Sequence, residues 1–142
     1  VSLAEERGID CEFRFFKREE LVRIMQSADL YVHTAVVEIE AIACMEAICC
    51  GLVPVICNSK RSATRFFSLG ERNLFEQNDF SDLAAKIDYW YEHPEEKDEC
   101  SKAYAPLRTS FSQERCMMLM EDMMKETMSC YEEEHILQGS AE

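Results

Sequence analysis

Residues 36–51, with the sequence VVEIEAIACMEAICCG, decide the fold of this chain. The strand-like run DLYVH at 29–33 precedes them, and LVPVIC at 52–57 follows them. From Ala41 onward the stretch predicts a helix, and Gly51 predicts its end because glycine accepts the left-handed backbone that commonly closes a helix. Strand, loop, helix, glycine and strand make one βαβ unit, whose parallel strands are expected to be buried on both faces.

Three carboxylates in this stretch need an explanation. Glu38 and Glu40 fall in the loop and first helical turn, where a negative charge interacts favourably with the helix dipole. Glu46 lies further along an otherwise apolar helix, between Met45 and Ala47. A buried charge in that position would need a partner, because an unpaired carboxylate is costly to bury.

The stretch resembles the signature of retaining glycosyltransferases with two Rossmann-like domains, the GT-B architecture (glycosyltransferase family four, group 1 type). In that signature two glutamates separated by seven residues open a helix of the C-terminal, donor-binding domain. Glu38 and Glu46 match these positions, with Gly51 and the strand residues 53–56 behind them. The resemblance covers roughly residues 12–96 and is greatest to bacterial enzymes that α-glucosylate membrane lipids such as sterols and diacylglycerol.

Spacing alone does not carry this resemblance. The same spacing of glutamates occurs at Glu12 and Glu20 and twice more near the C-terminus. Only the pair Glu38 and Glu46 has a strand on each side, and a motif counts in its structural context. The alternative is that Glu38 merely caps a helix and that Glu46 is a paired carboxylate of the core.

The resemblance implies a role for each glutamate. Ligands of open α/β sheets bind beyond the C-terminal ends of the strands, and the helix that starts near Ala41 offers N–H groups to a diphosphate there. Glu38 is implied to be the catalytic carboxylate, which holds hydroxyls of the donor sugar close to the anomeric carbon. Glu46 is implied to accept hydrogen bonds from the ribose of a UDP-sugar.

Further donor-binding candidates follow from the same resemblance. Many relatives have glycines just after the first glutamate, and the lipid glucosyltransferases resemble this chain in lacking them. The side chain of Glu40 is expected to point away from the diphosphate, which would repel it. His33, at a strand end, is either a donor contact or a hydrogen-bonded structural histidine. The donor-binding candidates are Ile39, Glu40, Ala41 and Ile42, together with Phe16 and Lys17, which match the region that meets the base of the nucleotide.

Composition excludes some classes of function. The 142 residues correspond to one domain or part of one, and 47% hydrophobic residues suffice for a packed core. A formal net charge of −13 argues against binding nucleic acid or an anionic membrane by bulk electrostatics. The eight cysteines lack the spacing of zinc sites and disulfide frameworks, which favours reduced, mostly buried thiols.

No metal or other cofactor is implied, because the three glutamates form no obvious cation cage and the family resembled works without one. The sequence contains neither a signal peptide nor a transmembrane run, which predicts a cytoplasmic protein. For the full enzyme this is compatible with peripheral association at the inner face of a membrane.

The order of elements predicts an α/β fold, a Rossmann-like parallel sheet with helices on both faces. A helix ending at Gly8 comes first, then a strand at 10–16 and a helix at 17–28. The family resembled has two strands before this point, with an Arg/Lys pair that grips the donor diphosphate. We therefore expect the chain to be the C-terminal half of a GT-B enzyme without its first strands and without the acceptor-binding N-terminal domain.

The remaining elements complete the prediction. Residues 58–67 begin as a loop and become a helix, either with ordinary serine and asparagine caps or as a loop that closes over the donor. A short edge strand at 73–75 and a helix from Asp79 follow, and Trp90 is expected in the core or at a domain contact. Pro94 starts another helix.

Ser112 is predicted to cap a long last helix, whose methionine-rich stripe belongs either to the core or to a partner surface. The stripe includes Met120 and Met124, and residues 138–142 are a frayed tail. We predict a partial donor-binding domain at 1–110 and an amphipathic helix with a tail at 111–142.

The leading hypothesis is the donor-binding part of a retaining glycosyltransferase that transfers a hexose, glucose in the enzymes it resembles, from a UDP-sugar to a lipid. An alternative acceptor is a surface polysaccharide or glycoprotein, and the absent N-terminal domain would decide. The other alternative is a non-catalytic α/β interaction domain.

Overall fold

The computed structural model describes residues 2–139, and side chains within 3–131. This part of the chain contains three strands, seven helices and two short 3₁₀ helices, Ala63–Phe67 and Glu71–Asn73, before and after Gly70. The strands are β1 (Leu30–His33), β2 (Val53–Cys57) and β3 (Leu74–Phe75). The helices are α1 (Ser2–Glu6), α2 (Arg18–Ser27), α3 (Ile42–Cys49), α4 (Phe80–Glu92), α5 (Pro94–Ala103), α6 (Ala105–Ser110) and α7 (Gln113–Gly139).

The three strands form an open parallel sheet in the order β1-β2-β3. Leu30 lies opposite Val53, and Ile56 lies opposite Leu74. Every residue of β2 is buried, as expected for a central strand covered on both faces. The predicted Rossmann-like arrangement of a parallel sheet with flanking helices is confirmed.

The glycine at the end of α3 acts as predicted. Gly51 has φ 102°, in the left-handed region, and its N–H donates to the carbonyl of Ile48 at 3.0 Å. The next N–H, of Leu52, donates to the carbonyl of Ala47 at 3.1 Å. These two bonds are the Schellman motif, which turns the chain directly into β2.

Alternation along β2 divides the core into two clusters. On one face Ile56 packs with Ile48 of α3 and with Tyr104, whose hydroxyl donates to the carbonyl of Phe67 at 2.8 Å. On the other face the cluster contains Val53, Val55, Cys57, Phe75 and Trp90. Trp90 is 3% exposed in this cluster, which confirms the prediction that it lies in the core, and its indole N–H donates to the backbone carbonyl of Arg72 at 3.1 Å.

The predicted strand at 10–16 is wrong. The chain between α1 and α2 is irregular, and Phe13 and Phe15 are 67% and 103% exposed. A strand needs a neighbour to bond its N–H and C=O groups. Within the described residues β1 is an edge strand that pairs only with β2, so nothing pairs with 10–16.

The helix predictions are confirmed with one change of type. Asp79 caps α4 by accepting the N–H groups of Ser81 and Asp82, and Pro94 opens α5. The segment after β2 becomes a 3₁₀ helix rather than an α-helix. Helix α1 ends before Gly8, which has φ 64°.

Helix α7 begins after Ser112, whose hydroxyl accepts the N–H of Arg115 at 3.4 Å. Every described side chain of this helix, from Gln113 to Tyr131, is exposed, so the methionine stripe is not part of the core. Of the predicted tail, residues 140–142 lie outside the described residues. The domain boundary between 110 and 111 stays a prediction.

The thiols are all free, but the expectation that most are buried is wrong. Only Cys44 and Cys57 are buried, while four of the eight are exposed. Burial raises the pKa of Cys44 to about 12, so this thiol stays protonated. The exposed thiols lie on the irregular segment, at the end of α3 and on α7, where no core covers them.

Candidate glycosyl-transfer site

The Glu38 carboxylate lies at the C-terminal edge of the sheet, in the loop between β1 and α3. One oxygen, Oε1, accepts the backbone N–H groups of Ile39 at 2.9 Å, Glu40 at 3.3 Å and Ala41 at 3.3 Å. These bonds, that of Ala41 above all, hold the pKa of the Glu38 carboxyl below its ordinary value. The site therefore contains a carboxylate that is anionic at neutral pH, fixed through one oxygen.

The backbone of Glu38 is fixed from the other side by the loop after β2. Its N–H donates to the carbonyl of Arg61 at 3.3 Å, and its carbonyl accepts the N–H of Ala63 at 2.8 Å. Ser59 donates from its buried hydroxyl to the carbonyl of Val36 at 2.6 Å. Ser62 makes no side-chain cap, so the segment positions the Glu38 loop rather than simply capping a helix.

Ala41 supports this geometry with an unusual backbone. It stands at the N-cap of α3 with φ 57° and ψ 29°, a left-handed conformation that costs a non-glycine residue roughly 1–2 kcal/mol. The turn lets three successive N–H groups converge on Oε1 of Glu38. Ala41 is 1% exposed and belongs to the core, so packing offsets the strain.

A cavity of about 510 Å³ opens beside Glu38. Three apolar side chains around it are strongly exposed: Val37 by 60%, Ile39 by 85% and Ile42 by 50%. An exposed apolar surface of this kind beside a carboxylate points to a ligand or partner with apolar character. The cavity is lined by Val37, Glu38, Ile39, Glu40, Ile42 and Ala43.

Glu46 is not a core carboxylate. Its side chain is 40% exposed, and its Oε1 lies 3.9 Å from Nη2 of Arg18, which is 88% exposed itself. An ion pair this exposed contributes little to stability. The alternative of a buried, paired glutamate is therefore wrong, and Glu46 is accessible to a polar ligand.

His33 ends β1 close to Glu38. Its Nδ1 lies 2.9 Å from the hydroxyl of Tyr31, and the two rings are 5.9 Å apart. The charge of His33 is one of the smaller contributions that lower the pKa of Glu38. This position of His33 is compatible with both predicted alternatives, a contact with the donor and a hydrogen-bonded structural histidine.

Comparisons with known proteins agree with the geometry. The family model for glycosyl transferases group 1 matches residues 1–105. This chain belongs to that family. It is also similar to a solved structure, the catalytic domain of cholesterol-alpha-glucosyltransferase from Helicobacter pylori, at 49% sequence identity. The match covers 78% of this chain and 70% of that one, with a TM-score of 0.73. A comparison with curated proteins gives no match.

The chain is thus a glycosyltransferase domain of the GT-B type, as the motif predicted. Glycosyl transfer moves a sugar from a donor to an acceptor and releases the rest of the donor. The roles of the individual side chains within this glycosyltransferase stay predictions. Among the candidates, Glu38, Ile39, Glu40 and Ile42 share the cavity, whereas Ala41 lies behind it in the core.

Phe16 and Lys17 lie apart from the other candidates. They do not end a strand, since none forms there, and they do not line the cavity beside Glu38. Phe16 is covered by the guanidinium of Arg14 at 4.1 Å, and Lys17 stands at the N-cap of α2. The residue of this segment that contacts one of the two glutamates is Arg18, which lies 3.9 Å from Glu46.

Tyr31 is the other residue that the sequence analysis missed in this glycosyltransferase. The signal was present, because positions i and i+2 of a strand point to the same face, which places Tyr31 beside His33. Within 3–131 no group of three potential metal ligands comes together, and the expectation of a metal-free site stays a prediction. None of the described helices is both long and apolar enough to cross a bilayer.

Proposed function

We propose that this domain binds the donor in a retaining glycosyltransferase that transfers a hexose, with glucose preferred, from a UDP-sugar to a lipid acceptor. One observation carries the proposal: the Glu38 carboxylate, held through Oε1 by three N–H groups, stands at the C-terminal edge of a parallel sheet inside a cavity. This is the edge at which open α/β sheets bind their ligands.

The N–H groups of α3, Glu38 and Glu46 each have a separate role in such a transfer. The leaving nucleoside diphosphate gains negative charge, and N–H groups of the first turn of α3, including Ile42 and Ala43, have no intrahelical acceptor and can stabilise it. The Glu38 carboxylate stabilises positive charge at the anomeric carbon and accepts sugar hydroxyls. The half-exposed Glu46 accepts the ribose hydroxyls, and each such charge-assisted bond contributes about 1.5–3 kcal/mol.

The surroundings of Glu38 favour a lipid acceptor over a glycan. Val37, Ile39 and Ile42 expose apolar side chains at the cavity, and these suit a sterol or acyl group better than a hydroxyl-rich sugar. The similar enzyme from Helicobacter pylori is named for a cholesterol acceptor. With a lipid acceptor, the full enzyme would be cytoplasmic and bound peripherally at the membrane, and it would need no metal.

Calorimetric titration of the full-length protein with UDP and UDP-glucose tests the donor. We expect binding by the wild type and an at least ~10-fold weaker Kd for Glu46→Ala, the loss expected for one charge-assisted bond. Glu92→Ala, a substitution of an exposed glutamate at the end of α4, is the matched control and should bind as the wild type does. A folded full-length protein that binds neither ligand would contradict the proposal.

A further inference from the structure

The hydroxyl of Ser59 joins the two loops that meet at Glu38. Ser59 follows β2 and is 2% exposed, and its Oγ donates to the carbonyl of Val36 at 2.6 Å. The same oxygen accepts the N–H of Arg61 at 3.2 Å. A serine hydroxyl is one donor with acceptor lone pairs, and here both capacities are used. One buried side chain therefore holds the backbone of both loops at once.

These two bonds lie on either side of the peptide of Glu38. Val36, which accepts the hydroxyl, comes two residues before Glu38 in the chain. The carbonyl of Arg61 accepts the N–H of Glu38 at 3.3 Å, and the carbonyl of Glu38 accepts the N–H of Ala63 at 2.8 Å. The two loops thus run side by side in a short parallel bridge. A shift of Val36 or Arg61 would move the peptide that bears the carboxylate.

Ser59 is itself anchored to the central strand. Its N–H donates to the carbonyl of Cys57, the last residue of β2, at 2.8 Å, and Cys57 is buried. The loop that Ser59 holds includes Ala41 with its left-handed backbone, and such a conformation persists only where the surroundings maintain it. The hydroxyl therefore connects the rigid centre of the sheet to the loop that needs support.

We propose that Ser59 is a positioning residue for glycosyl transfer, whose hydroxyl fixes the place of the Glu38 carboxylate through the carbonyl of Val36 and the N–H of Arg61. Because Ser59 is buried, it acts through Glu38 and not by touching the donor. A displacement of about 1 Å, even by a change away from the reacting atoms, can lower a rate ~10²-fold. The inference rests on the proposed function, since Glu38 is the carboxylate that it positions.

Steady-state kinetics of the full-length enzyme with UDP-glucose and a sterol or diacylglycerol acceptor test this assignment. For Ser59→Ala we expect kcat to fall ~10–100-fold while KM for UDP-glucose changes less than ~3-fold, because Glu46 and the N–H groups of α3 still bind the donor. Ser59→Cys fills the space with a weak donor, and its kcat should fall at least ~5-fold. A melting curve for each variant shows that it is folded.

Ser101→Ala is the matched control. The hydroxyl of Ser101 donates to the carbonyl of Gly51 at 2.7 Å, at the opposite end of β2 from Glu38. Its loss removes the same kind of bond, so the melting temperature should fall while kcat stays at the wild-type value. If Ser101→Ala lost as much kcat as Ser59→Ala, general loosening of the fold would explain both, and the role of Ser59 would be overturned.

A double-mutant cycle links Ser59 to Glu38. Ser59→Ala should cost less than ~2-fold in kcat when Glu38 is already glutamine, because the charge to be positioned is gone. Equal losses in both backgrounds, or wild-type kcat in both Ser59 variants, would overturn the role of Ser59 and leave the proposed function intact. A wild-type enzyme that is inert with UDP-, ADP- and GDP-glucose would instead contradict the proposed function, and with it the role of Ser59.

Discussion

Helices α3 and α7 contain similar apolar residues but have opposite environments. Helix α3 has eight residues and buries Cys44, Ala47 and Ile48 against the sheet. Helix α7 has 27 residues, and its methionines are exposed by 45–62%. Both were predicted as helices from their pattern, yet among the described residues only α3 buries side chains against the sheet. Composition and periodicity thus predict a helix, whereas burial depends on what the rest of the fold places beside it.

The largest expected effect is a loss of activity on substitution of Glu38, in the loop before α3. Glu38→Gln keeps the shape and one acceptor oxygen but removes the charge, and we expect kcat to fall by about 10²–10⁴ because a preorganised charge at the reacting carbon is lost. Transfer from UDP-glucose by the full-length enzyme measures it. Glu126→Gln on α7 is the matched control and should keep wild-type kcat. Similar kcat values for wild type and Glu38→Gln would show that this carboxylate is not catalytic.

The next largest effect concerns how much α3 and α7 each contribute to the stability of the protein. Ile48→Ala removes a side chain that is 1% exposed in the α3 cluster, and we expect a loss of about 2–5 kcal/mol in the free energy of unfolding. Met120→Ala on α7, at 45% exposure, should change it by less than about 0.5 kcal/mol. Urea denaturation of both variants gives the comparison. A large loss for Met120→Ala would reveal a partner for α7 in solution.

A smaller effect concerns the left-handed turn before α3. A β-branched side chain tolerates φ 57° poorly and finds no room in the core, so Ala41→Val should destabilise the protein by about 2–3 kcal/mol. Ala41→Gly relieves the strain but loses a buried methyl, and the two should cancel to within about 1 kcal/mol. Thermal melting distinguishes the variants. Equal melting temperatures for Ala41→Val and the wild type would mean that the backbone of the turn adjusts to the larger side chain.

The βαβ unit was predictable because its signals are local and agree with one another. Gly51 ends α3, β2 is a continuous apolar run, and the two glutamates sit at fixed places between the strands. Strand pairing depends on residues that are distant in the sequence, and this is why the prediction of a strand at 10–16 was wrong. Residues 10–15, DCEFRF, do alternate polar and apolar side chains, but a strand forms only against another strand.

The details of the site were less predictable. The family resemblance implied that residues 39–41 stand where many members have glycines, but not that Ala41 has a glycine-like, left-handed backbone. The convergence of three N–H groups on Oε1 follows from that turn and leaves no trace in composition. The pairing of Tyr31 with His33 was open to prediction from strand periodicity. That the buried Nε2 of His33 has no hydrogen-bond partner among the described residues became visible only in three dimensions.

The smallest expected effect is the pH dependence of the turn before α3, which the Glu38 carboxylate holds through the N–H groups of residues 39–41. Because the N–H groups lower the pKa of Glu38 below its ordinary value of 4.5, the carboxylate stabilises the folded protein above that pH. The contribution is lost as the pH falls through the folded-state pKa, since both states are then protonated. The difference in melting temperature between wild type and Glu38→Gln should therefore be greatest near neutral pH and shrink below about pH 4.5. Since the bonds are short and local, 0.5 M salt should hardly change this difference. A difference that stays constant down to pH 3 would contradict a charge-dependent contribution of Glu38 to the turn.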